Sequence, residues 1–159
     1  MLDYTLAENL VLQQYFEPRF SKAGFLKKRE ISAYAKTLVE RFDIRTGAGI
    51  STQARSMSGG NQQKAIIARE INTNPDLLLA VQPTRGLDVG ATHYIRERIL
   101  ASRNKGKAVL LISAELDEVL ELSDRIAVMY EGRIVDVRPA SQFTERELGL
   151  LMTGQGSGV

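Results

Sequence analysis

Ser56-Met57-Ser58-Gly59-Gly60-Asn61-Gln62-Gln63-Lys64 reads as the start of a helix built to face an anion. Ser58 is a good N-cap, because its hydroxyl can accept from a backbone N–H one turn on. Gly59 and Gly60 carry no Cβ, so an anion can approach the backbone there. The helix that follows begins with free N–H groups and the positive pole of its dipole, which favour negative charge. Taken alone, the stretch reads more readily as an ordinary serine-capped helix that has a glycine-rich entry.

A second stretch decides between these readings. Leu77-Leu78-Leu79-Ala80-Val81-Gln82-Pro83-Thr84-Arg85-Gly86-Leu87-Asp88 opens on an apolar run and ends in a turn. Ser-Gly-Gly-Asn-Gln, followed by an apolar run into Gln-Pro-Thr and then Gly-Leu-Asp, resembles an ABC-type ATPase. The first piece resembles the signature motif, the second the Walker B strand, and Gly86-Leu87-Asp88 the D-loop. The resemblance covers nearly the whole chain but only the C-terminal part of such a domain. It implies an α/β fold, a partial P-loop NTPase domain in which a helical subdomain is followed by part of a parallel sheet core. The P-loop half is missing.

The chain has 159 residues and a formal net charge of +2. That length gives one domain with a modest core. The slight Lys/Arg excess forms no long basic block, so no nucleic-acid partner is implied. There is no cysteine, hence no disulfide framework and no thiol chemistry. No apolar run approaches a membrane span and no signal-peptide pattern opens the chain. The expectation is a soluble, cytoplasmic chain.

Thr5 and Glu8 have capping-box spacing before a helix reaching about Tyr15. Leu2 to Leu10 resembles the segment that follows the Q-loop in nucleoside and sugar importers, which places the start of the chain just past that loop. Lys27-Lys28-Arg29 reads as a solvated helix start. Ile31, Tyr34, Ala35, Leu38, Val39 and Phe42 follow the i, i+3, i+4 spacing of an amphipathic helix, with Gly47 and Gly49 closing it. The helix from Ser58 is expected to stop before Pro75.

From Leu77 the pattern becomes strand and helix in alternation. Leu77 to Val81 reads as a strand buried on both faces. A helix over 91–102, a second buried strand over 109–112 and a short helix over 115–122 follow. Ile126 to Tyr130 and Arg133 to Val137 form a hairpin around Glu131-Gly132, expected at one edge of a parallel sheet. Thr144 and Glu147 cap a last helix, and Gly154 to Gly158 reads as disordered. The domain expectation is a helical subdomain over 1–75, a partial ATPase core over 76–140, and a terminal helix with a flexible tail over 141–159.

Three features depart from the family pattern. No Gly-x-x-x-x-Gly-Lys-Ser/Thr occurs, so no loop wraps phosphates and no lysine neutralises them. Val81 and Gln82 stand where the family has the Walker B Asp and Glu, which hold Mg²⁺ and polarise the attacking water. Ala114 stands where a histidine usually contacts the γ-phosphate. No catalytic residue is therefore intact, no metal site is expected, and the isolated chain is expected to be inactive. The one histidine, His93, reads as a helix-surface residue.

The three changes together resemble the second, degenerate nucleotide-binding domain of nucleoside and simple-sugar importers. The resemblance implies a role in trans: Ser58, Gly59, Gly60, Asn61 and Gln62 would meet ATP held by another nucleotide-binding domain. Asp88 of the D-loop would contact that domain. ATP and Mg²⁺ would be held mainly by the partner, and a membrane permease would dock the assembly at the inner face of the membrane. The missing half would leave Leu77 to Val81 with an unpaired edge and apolar surface open to self-association. Two alternatives stay open: a non-enzymatic truncated interaction module, and a fragment of a soluble ABC-type ATPase of DNA repair or translation.

Overall fold

The computed structural model describes residues 1–155. They form two compact units, Met1–Leu78 with Thr84–Ile95, and Leu79–Pro83 with Arg96 onward.

In the first unit, helix α1 (Leu6–Val11) starts at a complete capping box. Thr5 Oγ1 accepts from Glu8 N at 3.2 Å, and Glu8 Oε2 accepts from Thr5 N at 2.8 Å. That backbone N–H, and then the Thr5 hydroxyl, hold the Glu8 carboxyl below its ordinary pKa. The helix is shorter than its sequence pattern, because Gln14 to Phe20 continue as turns. A two-strand ribbon, β1 (Ser21–Lys22) and β2 (Phe25–Leu26), comes next. Helix α2 (Lys28–Arg41) buries Ile31, Tyr34, Ala35 and Leu38, the stripe its spacing predicts. It packs on α1.

The stop of α2 differs from expectation. Gly47 and Gly49 play no part; Asp43 takes φ +46° one residue past the C-cap Phe42. Ile44 N donates to Val39 O at 3.0 Å and Asp43 N to Glu40 O at 3.4 Å, which satisfies the last carbonyls. Helix α3 (Gly59–Asn72) packs on α1 and ends before Pro75, with Asn74 at φ +52°.

Strand β3 (Leu77–Val81) pairs with β4 (Ala108–Ile112), and helix α4 (Val89–Asn104) lies between them in sequence. The expected two-sided burial is not observed. Leu78 and Ala80 are buried, whereas Leu77, Leu79 and Val81 each stay more than half exposed. Alternation of this kind belongs to a strand covered on one face only.

In the second unit, helix α5 (Leu116–Leu122) precedes the hairpin of β5 (Arg125–Tyr130) and β6 (Arg133–Pro139). The two loop residues, Glu131 and Gly132, have φ +46° and +77°, the signs a type I′ turn requires. This hairpin is a sheet of its own and not the edge of a larger parallel sheet, because β5 pairs only with β6 among the described residues. Ile126, Val128, Phe143, Leu148 and Leu151 form the core beneath it. The last helix, α6 (Glu145–Met152), repeats the capping box of α1 with Thr144 and Glu147.

Of the segment read as disordered, Gly154 and Gln155 are instead the cap of α6, and the remainder lies outside the described residues. Gln155 N donates to Leu150 O at 2.8 Å and Gly154 N to Leu151 O at 3.1 Å, a Schellman closure. Gly154 has φ +76°, and a Cβ there would lie 2.6 Å from Tyr130 Cε1. Gly154→Ala should therefore destabilise the fold by about 2 kcal/mol, from left-handed strain plus a displaced ring. Urea unfolding checks this; an unchanged midpoint would show that the cap is dispensable.

Candidate functional site

The start of α3 is organised by amide side chains. Ser58 is exposed at the N-cap, and its Oγ accepts from Asn61 N at 3.4 Å and from Asn61 Nδ2 at 2.9 Å. Asn61 Oδ1 accepts from Arg45 N at 2.7 Å. Gln62 Nε2 donates to Ala54 O at 2.8 Å and to Met57 O at 3.2 Å. These two side chains therefore fasten the loop before the helix to the helix itself.

The two glycines differ. A Cβ at Gly59 would meet no atom of the chain within 4 Å, so that face of the helix start is open. A Cβ at Gly60 would lie 3.2 Å from Ala91 Cβ and 3.6 Å from Asp88 Oδ2. Packing inside the chain is thus enough to explain Gly60, whereas Gly59 leaves room for something outside it. Asp88 is exposed, and its Oδ1 accepts from Ala91 N at 2.9 Å, capping α4. Ser58, Gly59, Gly60, Asn61, Gln62 and Asp88 all fall in the first unit, and Gly60 adjoins Asp88.

Three residues that the motif reading passed over support this arrangement. Lys64 Nζ donates to Asp43 O at 3.0 Å and to Asp43 Oδ2 at 3.1 Å, and it sits 4.7 Å from the Tyr94 ring centroid. The Asp43 carboxylate also accepts from Arg45, at 3.2 Å. The Arg45 and then the Lys64 hydrogen bonds hold the Asp43 carboxyl below its ordinary pKa. Lys64 lies three residues after Asn61, on the same helix face, which was the available clue.

The second unit brings Gln82 and Ala114 together. Gln82 has φ +47°, its N donates to Ile112 O at 2.7 Å, and its Oε1 accepts from Ala114 N at 3.4 Å. Val81 precedes it, exposed at the end of β3. No carboxylate stands at 81 or 82, so this donor set does not fit a magnesium ion. His93 is exposed on α4.

This architecture matches solved ATP-binding cassettes. An ABC-transporter cassette in its ADP conformation (MJ1267) superposes with TM-score 0.68 at 25% identity over 98% of the chain and 61% of its own. A dimeric post-hydrolysis cassette bound to ADP and Pi (MJ0796) gives TM-score 0.70 at 23% identity over 90% and 60%. The fold is that of part of an ABC ATP-binding cassette. Among curated relatives, the nucleoside import ATP-binding protein NupA of Lactococcus lactis is 56% identical over 97% of the chain. The guanosine import ATP-binding protein NupO of Bacillus subtilis is 52% identical over 97%. The glucose import ATP-binding protein TsgD13 of Haloferax volcanii is 45% identical over 97%. The chain spans 30% of the length of the first two and 28% of the third. No protein-family model matches the sequence. Among the described residues of this partial cassette, no helix is long and apolar enough to cross a membrane.

Proposed function

We propose that the chain is part of the ATP-binding subunit of an ABC importer for nucleosides, with simple sugars the next substrate class. In this reading it corresponds to the second, degenerate cassette and supplies the signature helix in trans. The observation that carries the proposal is the start of α3: Ser58 exposed at the N-cap beside an open Gly59. A helix N-terminus of this kind suits the γ-phosphate of ATP held by another cassette. ATP fits this surface as a ligand in trans; magnesium, which balances phosphate charge when bound, has no carboxylate here at 81 or 82.

The chain's own residues then have limited tasks. Ser58 donates its hydroxyl to a terminal phosphate oxygen, Gly59 lets the backbone come close, and the α3 dipole favours the anion. Asp88, next to Gly60, meets the facing cassette. The helical part over 1–75 is the side offered to a permease, which would hold the assembly at the inner membrane face. Val81, Gln82 and Ala114 give the chain no base of its own, so catalysis would belong to the facing domain.

Calorimetry with ATP and Mg²⁺ on the chain alone is expected to give no binding heat. Addition of a P-loop-bearing cassette of a nucleoside importer is expected to give association that needs ATP and is lost with ADP. Micromolar ATP binding by the chain alone would overturn the trans assignment.

A further inference from the structure

Resting on the trans reading above, we infer that Asn61 is a positioning residue that fixes the Ser58 hydroxyl as a donor to an anionic oxygen. The argument begins at Arg45, whose backbone N–H can only donate. It lies 2.7 Å from Asn61 Oδ1, so the amide oxygen must face it. The Asn61 amino group is then turned towards Ser58, 2.9 Å from Oγ. An amino group only donates, so Ser58 Oγ accepts from it, and accepts again from Asn61 N at 3.4 Å. A hydroxyl has two acceptor lone pairs and one proton. With both lone pairs engaged, the Ser58 proton is left to point out of the chain, on an exposed side chain.

The result is a directed series of hydrogen bonds from Arg45 N–H through Asn61 to Ser58. A serine that can only donate discriminates in favour of a charged acceptor such as a terminal phosphate oxygen. Bonds in series polarise one another in the same direction. The turn that presents Arg45 N–H is itself pinned. Asp43, at φ +46°, is held through its carbonyl and its carboxylate by Lys64 Nζ, a side chain 13% exposed. Asn61 therefore acts through Ser58 and has no need to touch the nucleotide.

The experiment compares the full chain with Ser58→Ala, Asn61→Leu, Asn61→Asp and the double variant Ser58→Ala/Asn61→Leu. Each is mixed with a P-loop-bearing cassette of a nucleoside importer, and association is read with ATP and with ADP, alongside each variant's melting temperature. Asn61→Asp keeps an acceptor for Arg45 N–H and places a carboxylate in the first turn, so it folds even where the leucine variant does not. Asn61→Leu is expected to lower ATP-dependent association about tenfold, the size of one misdirected hydrogen bond to a charged group. The ADP background should stay unchanged, because a merely structural role would lower both. Asn61→Asp, which draws the Ser58 proton inward, should fall at least as far. The double variant should match Ser58→Ala alone. A wild-type ATP-to-ADP ratio in both Asn61 variants, with that of Ser58→Ala lowered, overturns the role of Asn61 and leaves the trans reading standing. An unchanged ratio in Ser58→Ala overturns both.

Discussion

Ser58→Arg is expected to abolish ATP-dependent association with a P-loop-bearing cassette, a loss of roughly 100-fold or more. The substitution acts twice. It removes the N-cap acceptor, which costs about 1 kcal/mol of fold stability and leaves the helix formed. It also fills the approach to the helix start with a long cationic side chain. That approach is open in the native chain, where a Cβ at the neighbouring Gly59 would meet no atom within 4 Å. Closure on a partner's phosphate needs that space, and a guanidinium there would face the cations that already accompany ATP. Ser58→Ala, which leaves the space and removes only the hydroxyl, should lose much less. The check is sedimentation of mixtures with ATP, with melting temperatures measured in parallel. Retained ATP-dependent association in Ser58→Arg would remove the signature helix from the closure surface.

Features legible in the sequence were those fixed within one turn of chain. Thr5 with Glu8 and Thr144 with Glu147 are capping boxes because spacing of three residues alone brings the groups together. Glu131-Gly132 was legible as a hairpin turn for the same reason. Ile31, Tyr34, Ala35 and Leu38 read correctly as the buried stripe of α2 because helical periodicity is local. The misreadings concern what a segment meets across space. Leu77 to Val81 is uniformly apolar in sequence, yet burial depends on what covers each face, and only one is covered. Gly47 and Gly49 are the sequence signal for the end of α2, whereas Asp43 adopts the left-handed conformation, secured by Lys64 from another helix. Gly154 looked like the first residue of a loose tail; its constraint comes from Tyr130 on β5. In the candidate site, Ser58 is legible as the cap of its helix, whereas the capping of Ala91 N by Asp88 appears only in the structure. The link from Asn61 to Arg45 is not legible either, because it joins positions sixteen residues apart through a turn that no motif marks.

Arg96→Met is expected to destabilise the second unit by about 3 kcal/mol. Arg96, on α4, is the cation that faces three carboxylates of α5. It reaches Asp117 Oδ2 at 2.8 Å and Glu121 Oε2 at 2.6 Å, and its Nε lies 3.9 Å from Glu118 Oε1. The first two carboxylates are 69% and 55% exposed, and pairs of that kind contribute under about 1 kcal/mol each. Glu118 is different, because it is fully buried. Removing the cation beside a buried carboxylate leaves its desolvation less compensated, and that outweighs the loss of the two exposed pairs. Methionine keeps much of the apolar stem, which separates charge from packing. Asp117→Asn and Glu121→Gln should each shift the urea midpoint only slightly. Arg96→Met combined with Glu118→Gln should recover part of the loss, since no buried carboxylate then needs the cation. Acid adds a second signature. The Arg96 hydrogen bond holds the Asp117 carboxyl below its ordinary pKa. Its contribution is therefore present above the unfolded value and lost as pH falls through the lowered folded one. Arg96→Met should remove that part of the acid dependence. A small effect of Arg96→Met with no recovery in the double variant would mean that other groups satisfy Glu118 and that Arg96 serves only the surface.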